Sequence, residues 1–352
     1  MKSIKLFALF ALALIMSSCG GNQQVAMTAA DVDATFSSGV VLIKNVYYYE
    51  IKFSNFEPIY FSDINDEGDL VGATFDAAEI QQMISWGTGF FISDDGWIAT
   101  NSHVANPAVD TKQVRNNISS MFRTLADQWQ SEVSELSDAI ALLQSAILDS
   151  NNYSDINDYK AKLQELSEER DKTQKAINMV HDVQGSDYEV YIHNEISVAY
   201  SDTHVTNYDD FIPCVNLLDD QEHDVAIIQL KSKKTPEDRV YFEIPYYDGA
   251  EEPETPVGTK LFLIGYNLGP SLAITEGGLK PQVTEGAITQ NTDGVKIMYS
   301  IPTLHGSSGS PVVDEFGTLV AVNFAGLDVT QNFNYGIKVK HLANLVASYT
   351  SK

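Results

Sequence analysis

The chain has 352 residues, of which 44% are hydrophobic, enough for a sizeable core and for one large all-β unit with additions. Its formal net charge is −26, from 48 acidic against 22 basic residues. That field repels nucleic acid, and no Lys/Arg cluster offsets it, so a nucleic-acid partner is excluded from the expectations. The first predicted element is a leader. Lys2 and Lys5 precede an apolar stretch from Leu6 to Met16, and Ser17-Ser18-Cys19-Gly20 follows. The apolar run is too short to span a bilayer as a mature helix. It reads as a bacterial lipoprotein signal, residues 1–18, cut before Cys19 with the sulfur carrying lipid. Losing Lys2 and Lys5 with it takes the net charge to −28. Cys214 is then the one remaining cysteine, so no internal disulfide is expected and Cys214 reads as a small core residue.

Residues 19–38 are polar, Ala/Ser-rich and aperiodic, and read as a flexible tether. Val40 to Phe53 is β-branched and aromatic, a strand. Residues 54–85 read as an insertion. Its acidic stretch, residues 63–69, faintly resembles a calcium loop, but Thr74 stands where the bidentate acid belongs, so a solvated loop is expected. Two apolar runs flank Asp95-Gly96, a hairpin signal, and His103 follows the second run. From about Thr111 to Met179 there is almost no Gly or Pro and the period becomes helical. Apolar residues recur at Ile118, Phe122, Leu125, Trp129, Val133, Leu136, Ile140, Leu143 and Ile147. A second series runs Ile156, Tyr159, Leu163, Leu166, Thr173, Ile177 and Val180, with Arg170 in the remaining seam position. This pattern predicts an antiparallel coiled-coil hairpin over residues 112–181, turned at Ser150 to Tyr153, with a longer arm of roughly 45–50 Å. It reads either as passive decoration or as an arm for a protein partner or self-association. Residues 186–246 return to strand-rich sequence containing Glu222-His223-Asp224-Val225-Ala226-Ile227-Ile228. Asp248 to Pro256 reads as a connector. Further strands are expected at Lys260 to Gly265, Gln282 to Ile288, Ile297 to Ser300 and Leu319 to Phe324, then a closing helix at Lys340 to Thr350.

The chemistry concentrates in Leu304-His305-Gly306-Ser307-Ser308-Gly309-Ser310-Pro311. Glycine at 306 and 309 permits tight or positive-φ geometry, and such a turn presents a serine hydroxyl beside convergent N–H groups. Acyl transfer needs that pairing of nucleophile and oxyanion donors. The residues alone leave Ser307, Ser308 and Ser310 as competing nucleophiles. The chain order His103, Asp224, Ser308 matches the His, Asp, Ser order of chymotrypsin-type triads. No histidine or cysteine cluster has metal-ligand spacing, and no cofactor is expected. His181, His193, His204 and His341 lie in polar contexts, and His223 is expected to point away from Asp224.

Three segments carry a resemblance: Gly87-Thr88-Gly89-Phe90 before His103, His223-Asp224-Val225-Ala226-Ile227-Ile228, and Gly306-Ser307-Ser308-Gly309-Ser310-Pro311. With Gly265-Tyr266-Asn267 and Val320-Ala321-Val322-Asn323, they resemble chymotrypsin-fold serine proteases, most of all the bacterial Deg-type and glutamyl-endopeptidase branches. The resemblance spans roughly residues 40–111 and 183–348. It implies two six-stranded antiparallel β-barrels, about residues 39–247 and 257–340, with the helical hairpin inserted in the first and a C-terminal helix. The protease domain would thus comprise residues 39–111 and 182–352, with no sequence left over for a PDZ domain.

The same resemblance selects Ser308 as nucleophile, with His103 as base and Asp224 orienting it. It puts the oxyanion hole at the N–H groups of Gly306 and Ser308. Ser307 stands where trypsin-type enzymes carry the aspartate that pairs with a freed N-terminus, so activation of that kind is not implied. By position, Pro302, Asn323 and Phe324 would shape the primary specificity pocket, and no charge sits there to meet Arg, Lys or Glu. The expectation is a lipid-anchored serine endopeptidase of the bacterial cell envelope, cleaving protein or peptide after small or medium apolar residues such as Val, Ala or Leu. The competing class is a protease-fold scaffold that binds through its helical arm with little turnover.

Overall fold

A computed structural model describes residues 25–54, 56–65, 67, 69–149, 152–183, 188–245, 255–291, 294–324 and 333–350. In chain order the first part contains α1 (Ala29–Phe36), β1 (Val40–Phe53), β2 (Ile59–Phe61), β3 (Asp63–Ile64), β4 (Leu70–Val71), β5 (Met83–Phe91), β6 (Trp97–Thr100) and α2 (Ser102–Ala105). Two long helices follow, α3 (Thr111–Asp149) and α4 (Tyr153–Val183), then β7 (Tyr188–Tyr200), β8 (Ile212–Asp220) and β9 (Val225–Leu230). The second part contains β10 (Lys260–Gly265), α5 (Pro270–Ala273), β11 (Ile274–Thr275), β12 (Gly278–Leu279), β13 (Gln282–Asn291) and β14 (Lys296–Tyr299). It closes with β15 (Pro311–Asp314), β16 (Leu319–Phe324), β17 (Asn334–Lys338) and α6 (Val339–Thr350).

The strands make two closed antiparallel barrels, as the chymotrypsin resemblance implies. In the first the order is β1-β5-β6-β9-β8-β7, and β1 pairs with β7 to close it; β2 adds to the β1 edge. In the second the order is β10-β13-β14-β17-β16-β15. β9 (Val-Ala-Ile-Ile-Gln-Leu) is buried along its whole length, which is why it reads as a continuous apolar run rather than an alternation. Burial of such a run is the main stabilising term, at about 25 cal/mol per Å2 of apolar surface. Cys214 is buried in this barrel's core, and burial pushes its thiol pKa up to about 12.

β1 and β7 outrun the barrel. Up to Tyr47, β1 also pairs with β5; beyond it, β1 continues with β7 to the pair Phe53↔Tyr188, and β2 takes the other edge. On this overhang Tyr49, Ile51, Phe53, Ile59 and Phe61 form a separate core with Val114, Ile118, Phe122 and Ala126 of α3 and Val180 of α4. The base of the helix pair is therefore packed on the sheet, not only on its partner helix. α3 has 39 residues, so at ~1.5 Å each it extends about 58 Å, longer than the spacing predicts.

The flexible tether is corrected for its described part. Thr28 and Asp31 form a reciprocal cap on α1, Val32 is fully buried, and Met27 N–H donates to Glu315 O at 2.8 Å. Phe36 stacks on Phe242 with ring centroids 5.1 Å apart. Two apolar side chains on one short helical face suffice to dock it, and the polar composition around them hides the signal. Cys19 and the leader lie outside the described residues. In the 63–69 stretch, β3 pairs with β4, and Asp69 accepts from Asn117 Nδ2 at 3.0 Å; Asp66 and Gly68 lie outside the described residues. Among the described residues no three His, Cys, Asp or Glu side chains could hold a metal ion, and no helix is long and apolar enough to cross a membrane.

Candidate active site

His103, Asp224 and Ser308 converge where the barrels meet. His103 sits on α2, one turn of helix directly after β6, and its side chain is 41% exposed. Neutral amides moor that turn from below. Asn45, fully buried on β1, donates to Val104 O at 2.9 Å and Ala105 O at 3.1 Å, and Asn194 on β7 donates to Ala105 O at 2.6 Å. The next two residues are tied as well: Asn216 Nδ2 donates to Asn106 Oδ1 at 2.7 Å, and Tyr49 OH to Pro107 O at 3.2 Å.

Asp224 precedes β9 with φ of +54°, a conformation that costs a non-glycine residue energy and persists only where its surroundings fix it. Asn101 Nδ2 fixes it by donating to Asp224 O at 2.9 Å. So held, the carboxylate accepts from both the backbone and the ring of His103. His103 N–H reaches Oδ1 at 2.9 Å, and Nδ1 lies 2.8 Å from Oδ2 and 3.0 Å from Oδ1. With Nδ1–H spent on Asp224, the other ring nitrogen, Nε2, carries the lone pair of the neutral imidazole.

The three candidate serines separate by environment. Ser307 is buried, and its Oγ donates to Leu304 O at 2.6 Å while accepting from Asn323 Nδ2 at 3.2 Å. Ser310 is fully buried in the seam between β10 and the loop. Ser308 alone is partly exposed, and it shares a cleft of about 460 Å3 with His103. No hydrogen bond joins the two side chains among the described residues.

The loop around Ser308 is clamped by Thr88 of β5, which is fully buried. Thr88 N–H donates to Ser308 O at 2.8 Å, its Oγ1 donates to Gly306 O at 2.8 Å, and the same oxygen accepts from Tyr266 N–H at 3.0 Å. Thr100 Oγ1 donates back to Thr88 O at 2.8 Å. One residue of the first barrel thereby fixes the carbonyl of Ser308 and that of Gly306, two residues before it. Gly306 has φ of +92°, and a Cβ there would stand 2.6 Å from Tyr266 O and 2.7 Å from Gly269 N. Glycine is required. Among the described residues the N–H groups of Gly306 and Ser308 donate to no protein acceptor. A pair of fixed, unspent donors beside a partly exposed hydroxyl can stabilise a developing oxyanion.

The residues expected in the specificity pocket divide. Asn323 is fully buried: its Nδ2 donates to Ser307 O at 2.9 Å and its Oδ1 accepts from Tyr299 OH at 2.6 Å. Its side chain is a tie beneath the Ser308 loop rather than an open wall. Phe324 is partly buried and stands edge-on to the His103 ring, with centroids 6.0 Å apart. Pro302 is exposed. His223, directly before Asp224, turns from the cleft and stacks on His341 with centroids 4.0 Å apart. Thr88, Asn45 and Asn194 were missed by sequence reasoning; the Gly-Thr-Gly pattern marks Thr88's place but carries no sign of its partners.

The model of the trypsin-like peptidase domain matches residues 87–322, about two thirds of the chain. No curated protein matches the sequence. Among solved structures, a serine-to-alanine variant of the HtrA-type protease AlgW with a decapeptide is 15% identical with a TM-score of 0.47, covering 92% of this chain and 67% of that one. A serine endoprotease from Yersinia pestis is 13% identical with a TM-score of 0.43, over 92% and 67% of the two chains. The active form of the Rv3671c protease from M. tuberculosis is 14% identical with a TM-score of 0.42, over 95% and 93%.

Proposed function

The chain belongs to the trypsin-like peptidase domain family, as a serine endopeptidase, and from that premise we propose that His103, Asp224 and Ser308 are its catalytic triad. The observation that carries this is the pair of hydrogen bonds from the His103 backbone N–H and ring Nδ1 to the Asp224 carboxylate, which leaves Nε2 for the cleft that Ser308 shares. As Ser308 Oγ attacks the scissile carbonyl, His103 Nε2 takes its proton. Asp224 stabilises the imidazolium, and the N–H groups of Gly306 and Ser308 donate to the oxyanion. The C–N bond then breaks, the proton passes from His103 to the leaving amine, and water hydrolyses the acyl-Ser308 ester by the same steps. Ser308→Ala should abolish fluorophosphonate labelling and proteolysis while the protein stays folded. Retained labelling in Ser308→Ala, with loss in Ser307→Ala or Ser310→Ala, would refute the assignment.

For specificity, the uncharged Pro302 and Phe324 support cleavage after small or medium apolar residues, while the Asn323 side chain is committed to Ser307 and Tyr299. A basic side chain there would meet no carboxylate from these residues, at a cost of several kcal/mol, and Lys296 Nζ, 4.5 Å from the Phe324 ring centroid, would oppose it further. A peptide-library profile dominated by Arg, Lys or Glu before the bond would overturn this. The leader pattern ending at Cys19 supports a lipid anchor on the bacterial cell envelope. Cys19→Ala should lose palmitate incorporation and leave the membrane fraction. The far part of the helix pair keeps Leu142, Leu148 and Tyr153 exposed, which supports a second role for the arm in protein contacts.

A further inference from the structure

The cleft at Ser308 does not end at Trp86. The same indole also lines a second, largely apolar cavity of about 410 Å3, within the range of small-ligand sites. Leu42, Tyr208 and Phe211 of the first barrel line it from one side, Ile274 and Leu279 of the second from the other. The Trp86 ring lies 5.7 Å from Phe211 and 6.3 Å from Tyr208. Leu268 and Gly269 both have positive φ, which turns the loop closely around the indole; a Cβ on Gly269 would stand 3.0 Å from Trp86 Cβ and Cγ. The far wall is pinned to the first barrel: Leu279 N–H donates to Thr203 O at 2.8 Å, Asp202 N–H donates to Leu279 O at 2.7 Å, and Lys280 pairs with Asp202. The cavity is thus preformed, and no charged side chain lines it. Yet Ile274 and Tyr208 at its edge are each 57% exposed, and Leu268 nearby is also exposed. Contiguous apolar surface beside a cleft marks a binding site.

We infer that this cavity is a substrate subsite for one bulky apolar side chain, of the Leu, Ile, Met or Phe class, on the leaving-group side of the scissile bond. The inference rests on the triad and the primary pocket proposed above. Phe324, on the primary-pocket strand, stands against His103 and does not line the Ser308–Trp86 cleft. A chain that enters along Phe324 and presents its carbonyl to Ser308 leaves along Trp86 and reaches the apolar cavity next. A charged or small residue at that position gains nothing from the cavity.

The test uses the full-length protein and internally quenched peptides with one fixed acyl side. Each of the first three positions after the scissile bond carries Leu, Phe, Gly or Asp in turn. At one of these positions Leu or Phe should raise kcat/KM about ten- to hundredfold over Gly or Asp. Ile274→Ser, which removes an exposed wall, and Ile274→Trp, which fills the mouth, should each reduce that ratio to about threefold or less. Leu142→Ser, on the helical arm, should keep the full ratio. A p-nitroanilide with the same acyl side has no residues beyond the bond and reports the triad alone. Turnover of the p-nitroanilide without any apolar preference in the peptides overturns the subsite and spares the triad. A full preference retained in both Ile274 variants also overturns it. A wild-type protein that neither labels with fluorophosphonate nor turns over the p-nitroanilide overturns the triad and the subsite with it.

Discussion

Replacing Thr88 by Val keeps its shape and removes one hydroxyl. That oxygen now bridges two buried backbone groups, donating to Gly306 O at 2.8 Å and accepting from Tyr266 N–H at 3.0 Å. Both Gly306 and Tyr266 are buried, so neither group gains water in exchange. A buried polar group left without its partner costs about 1–3 kcal/mol, so Thr88→Val should lose roughly 2–6 kcal/mol. That is a large share of the roughly 5–15 kcal/mol typical of a domain. Thr88→Ser keeps the hydroxyl and gives up one buried methyl, a cost of about 1 kcal/mol. Urea unfolding followed by tryptophan fluorescence reads the stabilities, and the second-order rate of fluorophosphonate labelling below the transition reads the site. Thr88→Val should show the lower midpoint and label at least about tenfold more slowly, because the Gly306 carbonyl no longer sets the loop. Thr88→Ser should label within about threefold of wild type. Equal midpoints and equal labelling for the two variants would refute the reasoning.

The helix pair should tolerate trimming but not removal. Replacing residues 131–171 by a short Gly/Ser loop leaves the base packed and should keep Tm and peptide hydrolysis near wild type. Deleting residues 112–181 strips Val114, Ile118, Phe122, Ala126 and Val180 from their core and exposes Tyr49, Ile51, Phe53 and Phe61. At about 1.5–3 kcal/mol for each large apolar side chain, that protein should be insoluble or melt far lower, and an unchanged Tm would show the arm to be independent. A third prediction concerns pH. Burial holds the His341 imidazole below its ordinary value of 6.5, neighbouring His223 and Lys340 push it the same way, and Gly294 O and Asp220 oppose them. The folded state therefore resists a proton that the unfolded chain accepts. This contribution is intact above pH 6.5 and is lost as pH falls through the window beneath it. Tm measured from pH 7.5 to 5 should fall less steeply for His341→Gln than for wild type; parallel curves would refute it.

The proposed triad was legible in the sequence because its motifs are local. Gly306 and Gly309 mark the turn, Asp224 heads a buried run, and His103 ends a strand, each within a few residues of the signal. Ser308's partners are less so. Thr88 meets Gly306 and Tyr266 across 218 and 178 residues of sequence, and nothing in Gly-Thr-Gly announces a hydroxyl shared between barrels. The 3.6-residue period correctly places Ile118 and Phe122 on one apolar face. It cannot say what covers that face, and much of the cover is the β1–β2 overhang rather than α4. For Asn323, position along a strand leaves its direction open, and the amide points into the protein to hold Ser307. In the segment called a tether, Val32 and Phe36 are too few to register against the surrounding Ala, Ser and Asp.

Only seven residues separate the ring of His103 from α3, an arm about 58 Å long when counted at ~1.5 Å per residue. A lever of that length would turn small pushes at its tip into torque on its root. The root, however, is moored before it reaches the histidine. Residues 104–107 are each held by a side chain of the barrel wall: Asn45 on 104, Asn45 and Asn194 on 105, Asn216 on 106 and Tyr49 on 107. These five bonds act as strain relief does on a cable, taking load into β1, β7 and β8 before it can twist the imidazole away from Asp224. That is why a chain can accept some seventy inserted residues so near His103 without losing its alignment with Asp224.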